Sequence, residues 1–366
     1  MPELADVFRL HGPAYRAGHK GSLLPSQAAA MDAIETCRAE ACGGHVYICG
    51  ECGGLRYSYH SCGNRHCPKC QHELASLWLG RQTGQLLPVP YCLITFTLPQ
   101  ELRALARLHQ KLVYGALFRE SAAALLELAR DPRHLGADLG FTGVLHTWTR
   151  DLQYHPHVHY VAPAGGLAPD GSRWIPQKYR GWLLPVRALG SLFRGKLRHA
   201  LRRAGLLGEA PAAVWRKPWV VHIKAAGTGE AAFKYLAPYV YRAAVSNSRI
   251  VALDQGRVTY RYRRSDTGAE ALMTLAADEF IRRLLQHVLP RGFVRVRSYG
   301  FYSSRRRDDL ALVRGLLGAD EPVPDDSEPP ADQSGAGCGQ SPLRCPRCGG
   351  PLILLLKLPP RKRAPP

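Results

Sequence analysis

Long apolar runs are missing from this chain. No stretch approaches the roughly 20 consecutive apolar residues that span a bilayer. The opening residues, MPELADVFRL, carry acidic side chains where a secretory signal would have its apolar segment. These absences lead to the expectation of a cytoplasmic protein. Acid is scarce too: 29 Asp and Glu stand against 49 Lys and Arg, a formal net charge of +20 that runs along the whole chain. An excess of this kind argues against a polycationic partner and for a polyanion, with nucleic acid first in line. Internal repeats are absent beyond two cysteine clusters.

What is present is enough for folding. The 366 residues are 46% apolar, which suits two or three domains with at least one substantial core. Of eleven cysteines, seven lie between Cys37 and Cys70 and two more form Cys345-Pro-Arg-Cys348. That clustering suits metal ligation better than disulfides.

Three segments follow from composition. Residues 1–85 hold an amphipathic lead-in, a Cys/Gly/His-rich block and a helical linker, HELASLWLGRQTGQLL. Residues 86–317 read as strand, helix, a two-strand hairpin, helix, strand, helix, an order that predicts an α+β domain with an antiparallel sheet. Residues 318–366 begin with an acidic, Pro- and Gly-rich stretch expected to be a disordered linker and end in the terminal cysteine pair.

Cys49-x-x-Cys52 and Cys67-x-x-Cys70 are separated by fourteen residues, a spacing that lets two knuckles aim four thiolates at one tetrahedral Zn²⁺. Cys37, His45, Cys62 and His66 offer a second set. Cys345 and Cys348 make half a site, with Cys338 a candidate third ligand. Arg56, Tyr57, Tyr59, His60, Arg65 and Lys69 interleave cations and rings as contacts to phosphates and stacked bases require.

The stretch DLQYHPHVHYVAP sets His155, His157 and His159 at alternate positions. On a strand these share one face, with Val158 on the opposite, core-facing side. Pro156 points to a strand edge or beginning, which leaves His157 and His159 as the secure chelating pair. His146, on the preceding strand, can complete a three-nitrogen set with open positions for phosphate oxygens. Imidazoles suit Zn, Mn or Co, whereas phosphate chemistry often uses Mg²⁺ or Mn²⁺. Downstream, FKYLAPYVYR carries Tyr235 and Tyr239 four residues apart, on one face of a helix that Pro238 is expected to kink or interrupt. A phenolate beside a metal ion is a competent nucleophile toward phosphorus.

The segments SCGNRHCPKCQ, LHTWTRDLQYHPHVHYVAPAGGL and KYLAPYVYRAAVSNSRI, in this order, resemble the rolling-circle transposases of the insertion sequence ninety-one family, within the His-hydrophobic-His (HUH) endonuclease superfamily. The resemblance implies a ferredoxin-like catalytic domain over residues 86–317, preceded by a small zinc-binding, DNA-recognition domain. It implies a catalytic Mg²⁺ or Mn²⁺ on His157 and His159, with His146 as third ligand, and a 5′-phosphotyrosine link made by Tyr235 and Tyr239. The substrate is then single-stranded DNA at transposon ends and target, with Lys234 and Arg242 as further phosphate contacts. Two rivals are a rolling-circle replication initiator or relaxase with the same chemistry, and a non-catalytic zinc-ribbon regulator that binds DNA and leaves it intact.

Overall fold

The computed structural model describes residues 2–70, 72–179, 181–241, 244–264, 266–319 and 343–360. Cys338, Arg242 and all but two residues of the expected linker lie outside them.

Helix α1 (Leu4–Gly18) buries Leu4, Val7, Phe8 and Tyr15 along one stripe, and α2 (Pro25–Thr36) starts on a proline, the residue preorganised for a first helical turn. Two short strands follow, β1 (Gly44–Cys49) and β2 (Leu55–Tyr59), then α3 (His72–Gly84) as the connector.

The central sheet begins with β3 (Tyr91–Thr97), continues after α4 (Arg103–Leu108) and α5 (Gln110–Arg130) into β4 (Phe141–Trp148) and β5 (Tyr154–Pro163), passes the small pair β6 (Gly165–Leu167) and β7 (Trp174–Pro176), and returns through α6 (Val186–Arg203) to β8 (Val221–Ala225). The spatial order β4-β5-β3-β8, antiparallel throughout, is the ferredoxin-like β-α-β-β-α-β arrangement. The expected fold class, mixed helix and antiparallel sheet, is the one observed.

Alternation along the strands decides what each face does. Cys92, Ile94 and Phe96 of β3, Leu145 of β4 and Val158 and Tyr160 of β5 join Phe118 of α5 and Phe193 of α6 in one core. Residues of the opposite parity, Tyr91, Val144 and Val161, pack against Phe233, Leu236 and Val240 of α7 (Glu230–Tyr241), together with Trp78 of α3. The faces are thus closed by different helices.

The meander β9 (Ile250–Asp254), β10 (Arg257–Arg263) and β11 (Glu270–Ala276) precedes α8 (Ala277–Leu285). Its residues Ile250, Val258 and Tyr260, with Phe280 and Ile281 of α8, share a second core with Leu4, Phe8, Met31 and Ile34 of the first two helices. The lead-in is therefore packed onto the later part of the chain. Strand β12 (Val296–Tyr299) extends the central sheet beside β4, and α9 (Arg307–Leu316) follows.

The terminal segment was expected as a tail apart from the body. It is instead a strand, β13 (Leu352–Leu358), hydrogen-bonded antiparallel to β1 so that the small sheet runs β13-β1-β2. No helix among the described residues is long and apolar enough to cross a membrane.

Candidate active site

His157 and His159 project from β5 on the α7 side, and His146 stands opposite His157 in the β4–β5 register. The ring centroids lie 5.1 Å (His146–His157), 4.5 Å (His146–His159) and 4.7 Å (His157–His159) apart, and one nitrogen from each falls within 4.8 Å of the others. All three are buried, at 2%, 9% and 7% exposure. Strand β5 is an inner strand and not an edge. Pro156 fits there because it sits at the strand's beginning, past the last β3 partner and beside a register shift between His146 and Trp148; its carbonyl accepts from Leu98 N–H at 3.1 Å.

At His157 a hydrogen bond selects the tautomer that suits a cation. His157 Nδ1–H donates to the His155 carbonyl at 2.7 Å, so its Nε2 keeps a lone pair. His159 Nδ1 lies 2.8 Å from the Thr95 hydroxyl of β3, and its buried Nε2 has no hydrogen-bond partner among the described residues. A buried nitrogen of this kind is costly unless something occupies its lone pair. Burial holds the His146 and His157 rings well below the usual histidine range and His159 down to about 4. All three are neutral at physiological pH, the form that ligates metal. His155 does not join the group: its Nδ1 accepts from the Arg103 guanidinium at 2.6 Å.

Around the trio stand residues that sequence patterns did not single out. Trp148 stacks on His146 with centroids 5.9 Å apart and planes inclined by 11°. The Arg295 guanidinium lies 5.6 Å from the Trp148 ring and donates to the Val240 carbonyl of α7 at 3.1 Å. Burial lowers Arg295 to about 9, so it remains a cation. Thr95 had a legible signal, its parity on β3; Arg295 had none.

Helix α7 carries the tyrosines. It runs from Glu230 to Tyr241 through Pro238, where an interruption was expected, because it is held by Phe233, Leu236 and Val240 against the sheet. The Tyr235 ring meets His159 edge-on with centroids 6.0 Å apart, and the side chain is 42% exposed. It thus touches the buried trio and is reachable from solvent. Tyr239 lies one turn further along the same helix; its side chain is outside the described set.

The expected cation contacts are engaged within the chain. Lys234 pairs with Glu230 at 2.6 Å, Arg65 donates to the Phe293 carbonyl at 2.6 Å, and Lys69 pairs with Glu3 at 2.5 Å. The Lys234–Glu230 pair is exposed, the kind of pair weak enough to exchange for a phosphate.

The thiols regroup relative to expectation. Cys67 and Cys70 gather with Cys37 and Cys62, and Cys49 and Cys52 gather with Cys345 and Cys348. The four-thiol set drawn from Cys49, Cys52, Cys67 and Cys70 does not form, because pairing of β13 with β1 brings the terminal knuckle to Cys49. The set with His45 and His66 does not form either. His45 Nδ1 lies 3.4 Å from His60 Nε2, and His66 is buried with its Nε2 accepting from Leu289 N–H at 3.4 Å. In the first group the Cys37–Cys70 and Cys62–Cys70 sulfurs are 3.4 and 3.5 Å apart, close to the roughly 3.8 Å edge of a tetrahedron with Zn–S near 2.3 Å.

Residues 140–309 match a family described as a putative transposase, and residues 7–98 match a transposase zinc-binding domain. The putative transposase y4qJ of Sinorhizobium fredii is 43% identical over an alignment of 373 positions that takes in 95% of this chain and 93% of that protein. The transposase for insertion sequence element IS801 of Pseudomonas savastanoi pv. phaseolicola is 27% identical over 91% of this chain and 84% of that protein. Among solved structures, the conjugative relaxase TrwC in complex with oriT DNA, metal-bound, is similar at 20% identity and a TM-score of 0.26, over 30% of this chain and 42% of that one. A TrwC complex with mutant oriT DNA covers 61% and 72% at 16% identity and a TM-score of 0.24. The chain belongs to the transposases of the insertion sequence ninety-one family.

Proposed function

We propose that this transposase nicks and rejoins single-stranded DNA at the ends of its insertion sequence through a 5′-phosphotyrosine intermediate, in rolling-circle transposition. The observation that carries the reading is the contact between the exposed Tyr235 and the buried histidine trio, 6.0 Å between the Tyr235 and His159 rings. Nucleophile and cation site meet on one face of one sheet.

His146, His157 and His159 would hold a divalent ion, Mg²⁺ or Mn²⁺, which when bound supplies Lewis acidity toward the scissile phosphate and stabilises charge developing on its oxygens. Tyr235 attacks phosphorus. Its O–P bond forms as the bond to the 3′ oxygen breaks, the phenolic proton passes to solvent, and the departing strand takes up a proton as a 3′-hydroxyl. Arg295 and Val240 hold α7 against the sheet, so that the phenol arrives with little conformational search. Tyr239, one turn on, receives the next strand, and reversal of the attack joins donor to target. Lys234 exchanges Glu230 for DNA phosphate, and Arg65, Lys69 and Arg242 are further phosphate contacts. Cys37, Cys62, Cys67 and Cys70 hold a structural Zn²⁺ that shapes the recognition domain.

The test is incubation of the full chain with single-stranded oligonucleotides from the element's ends and Mn²⁺. A protease-sensitive protein–DNA adduct, absent with Tyr235→Phe/Tyr239→Phe and without divalent metal, supports the reading. DNA bound but left intact removes it.

A further inference from the structure

Cys49-Gly-Glu-Cys52-Gly53-Gly54 and Cys345-Pro-Arg-Cys348-Gly349-Gly350 are one motif, Cys-x-x-Cys-Gly-Gly, written near opposite ends of the chain. They also fold alike. Cys49 N–H donates to the Gly54 carbonyl and Gly53 N–H to the Cys49 carbonyl, both at 3.0 Å; Cys345 N–H donates to the Gly350 carbonyl and Gly349 N–H to the Cys345 carbonyl, both at 2.8 Å. Gly53 and Gly349 take φ of +65° and +78°, the left-handed conformation for which glycine is suited. Each cysteine pair is therefore held on a tight turn that points both sulfurs the same way.

The two turns face each other. Gly50 N–H donates to the Pro351 carbonyl at 3.0 Å, joining knuckle to knuckle, and Cys49 stands opposite Leu352 in the β1–β13 register. Across the junction the Cys49–Cys348 sulfurs are 3.4 Å apart and the Cys52–Cys345 sulfurs 3.8 Å, with all four within 4.8 Å of one another. Tetrahedral Zn–S bonds of about 2.3 Å place sulfurs roughly 3.8 Å apart.

We propose that Cys49, Cys52, Cys345 and Cys348 bind a second structural zinc, which closes a zinc ribbon built from the two ends of the chain. The first half lies inside the matched zinc-binding domain, residues 7–98, and the second lies far outside it. The three-stranded sheet β13-β1-β2 supports the metal with little core of its own. Val46 and Cys49 are buried, whereas Leu55, Tyr57 and the Ile353–Leu356 run are largely exposed. A sheet so poorly covered needs a staple. Without the terminal strand β1 would be left as an open edge, so the metal also fixes β13 in place. This assignment is independent of the nuclease chemistry.

Zinc counted in the full-length protein after gel filtration tests it. The double variant Cys345→Ser/Cys348→Ser should hold one zinc fewer per chain than the unaltered protein. Cys42→Ser should lose none, since that thiol donates to the Thr36 carbonyl at 3.1 Å and belongs to neither group. A second measurement decides the matter if the double variant fails to fold. A protease site placed within residues 325–335 is cut in the otherwise unaltered chain; the terminal fragment should stay on the body through gel filtration and leave when a chelator is added. An undiminished zinc count in a folded double variant, or a fragment that leaves while the body keeps its full zinc, overturns the proposal.

Discussion

One hydroxyl holds a ring nitrogen of His159. Thr95 Oγ1 lies 2.8 Å from its Nδ1, and the buried Nε2 has no hydrogen-bond partner among the described residues. Partners of this kind raise ligand basicity and restrict ring rotation, and their loss typically weakens metal affinity 10–100-fold. Thr95→Val keeps the shape and removes the oxygen. The Mn²⁺ concentration giving half-maximal adduct should then rise roughly tenfold or more, while adduct formed at saturating Mn²⁺ changes little; an unaltered Mn²⁺ requirement would show that Thr95 does not orient a ligand. At this scale the sequence was informative where periodicity was strict. His157 and His159 share a face because strand side chains alternate, and Val158 falls into the opposite core. Thr95 was half legible, by its parity on β3, whereas Arg295 depends on how distant parts of the chain meet, something local spacing does not carry.

Gly143 shows how the β4–β5 pair is seated beneath the histidines. A Cβ there would stand 2.4 Å from the Tyr160 ring. That ring cannot give way, because Tyr160 is fully buried and its hydroxyl donates to the Phe118 carbonyl at 3.0 Å. Gly143→Ala is expected to destabilise the fold by about 1–3 kcal/mol, read as a lower urea midpoint at constant slope; an unchanged midpoint would mean that the pair is more loosely packed than its contacts imply. The strands and helices of the catalytic sheet were readable because each carries its own period, apolar alternation in YCLITFTLP and helical spacing in the 100–130 stretch. Strand β13 was not. LILLLKL has no alternation, and its partner β1 is some 300 residues earlier, so nothing local announced the pairing. The same long-range contact explains why four thiols were assembled in the wrong combination from spacing alone. The repeated Cys-x-x-Cys-Gly-Gly was the one written clue.

Buried neutral histidines tie whole-molecule stability to pH. Burial holds His159 and His287 at about 4 in the folded chain. In the unfolded chain each takes a proton near 6.5. Below that pH the unfolded state binds more protons than the folded one, so stability is fully present above about 6.5 and is lost as pH falls toward 4. For chelator-treated protein, each such histidine should lower unfolding stability by about 2 kcal/mol between pH 7 and pH 5, measured by denaturant titration at both values. Equal stabilities would mean that these rings are not buried neutral in solution.

The molecule as a whole joins a basic surface of net charge +20, a metal-stapled N-terminal region and a ferredoxin-like sheet that carries a histidine trio and a tyrosine helix on one face. The account stands or falls on which atom becomes linked to DNA. The most direct measurement is mass spectrometry of the nuclease-trimmed, protease-digested adduct formed with Mn²⁺. The account predicts a nucleotide remnant on the α7 peptide, at Tyr235 or its helix neighbour Tyr239, and none after Tyr235→Phe/Tyr239→Phe. A remnant mapped to any other residue, or undiminished adduct in that double variant, would contradict it.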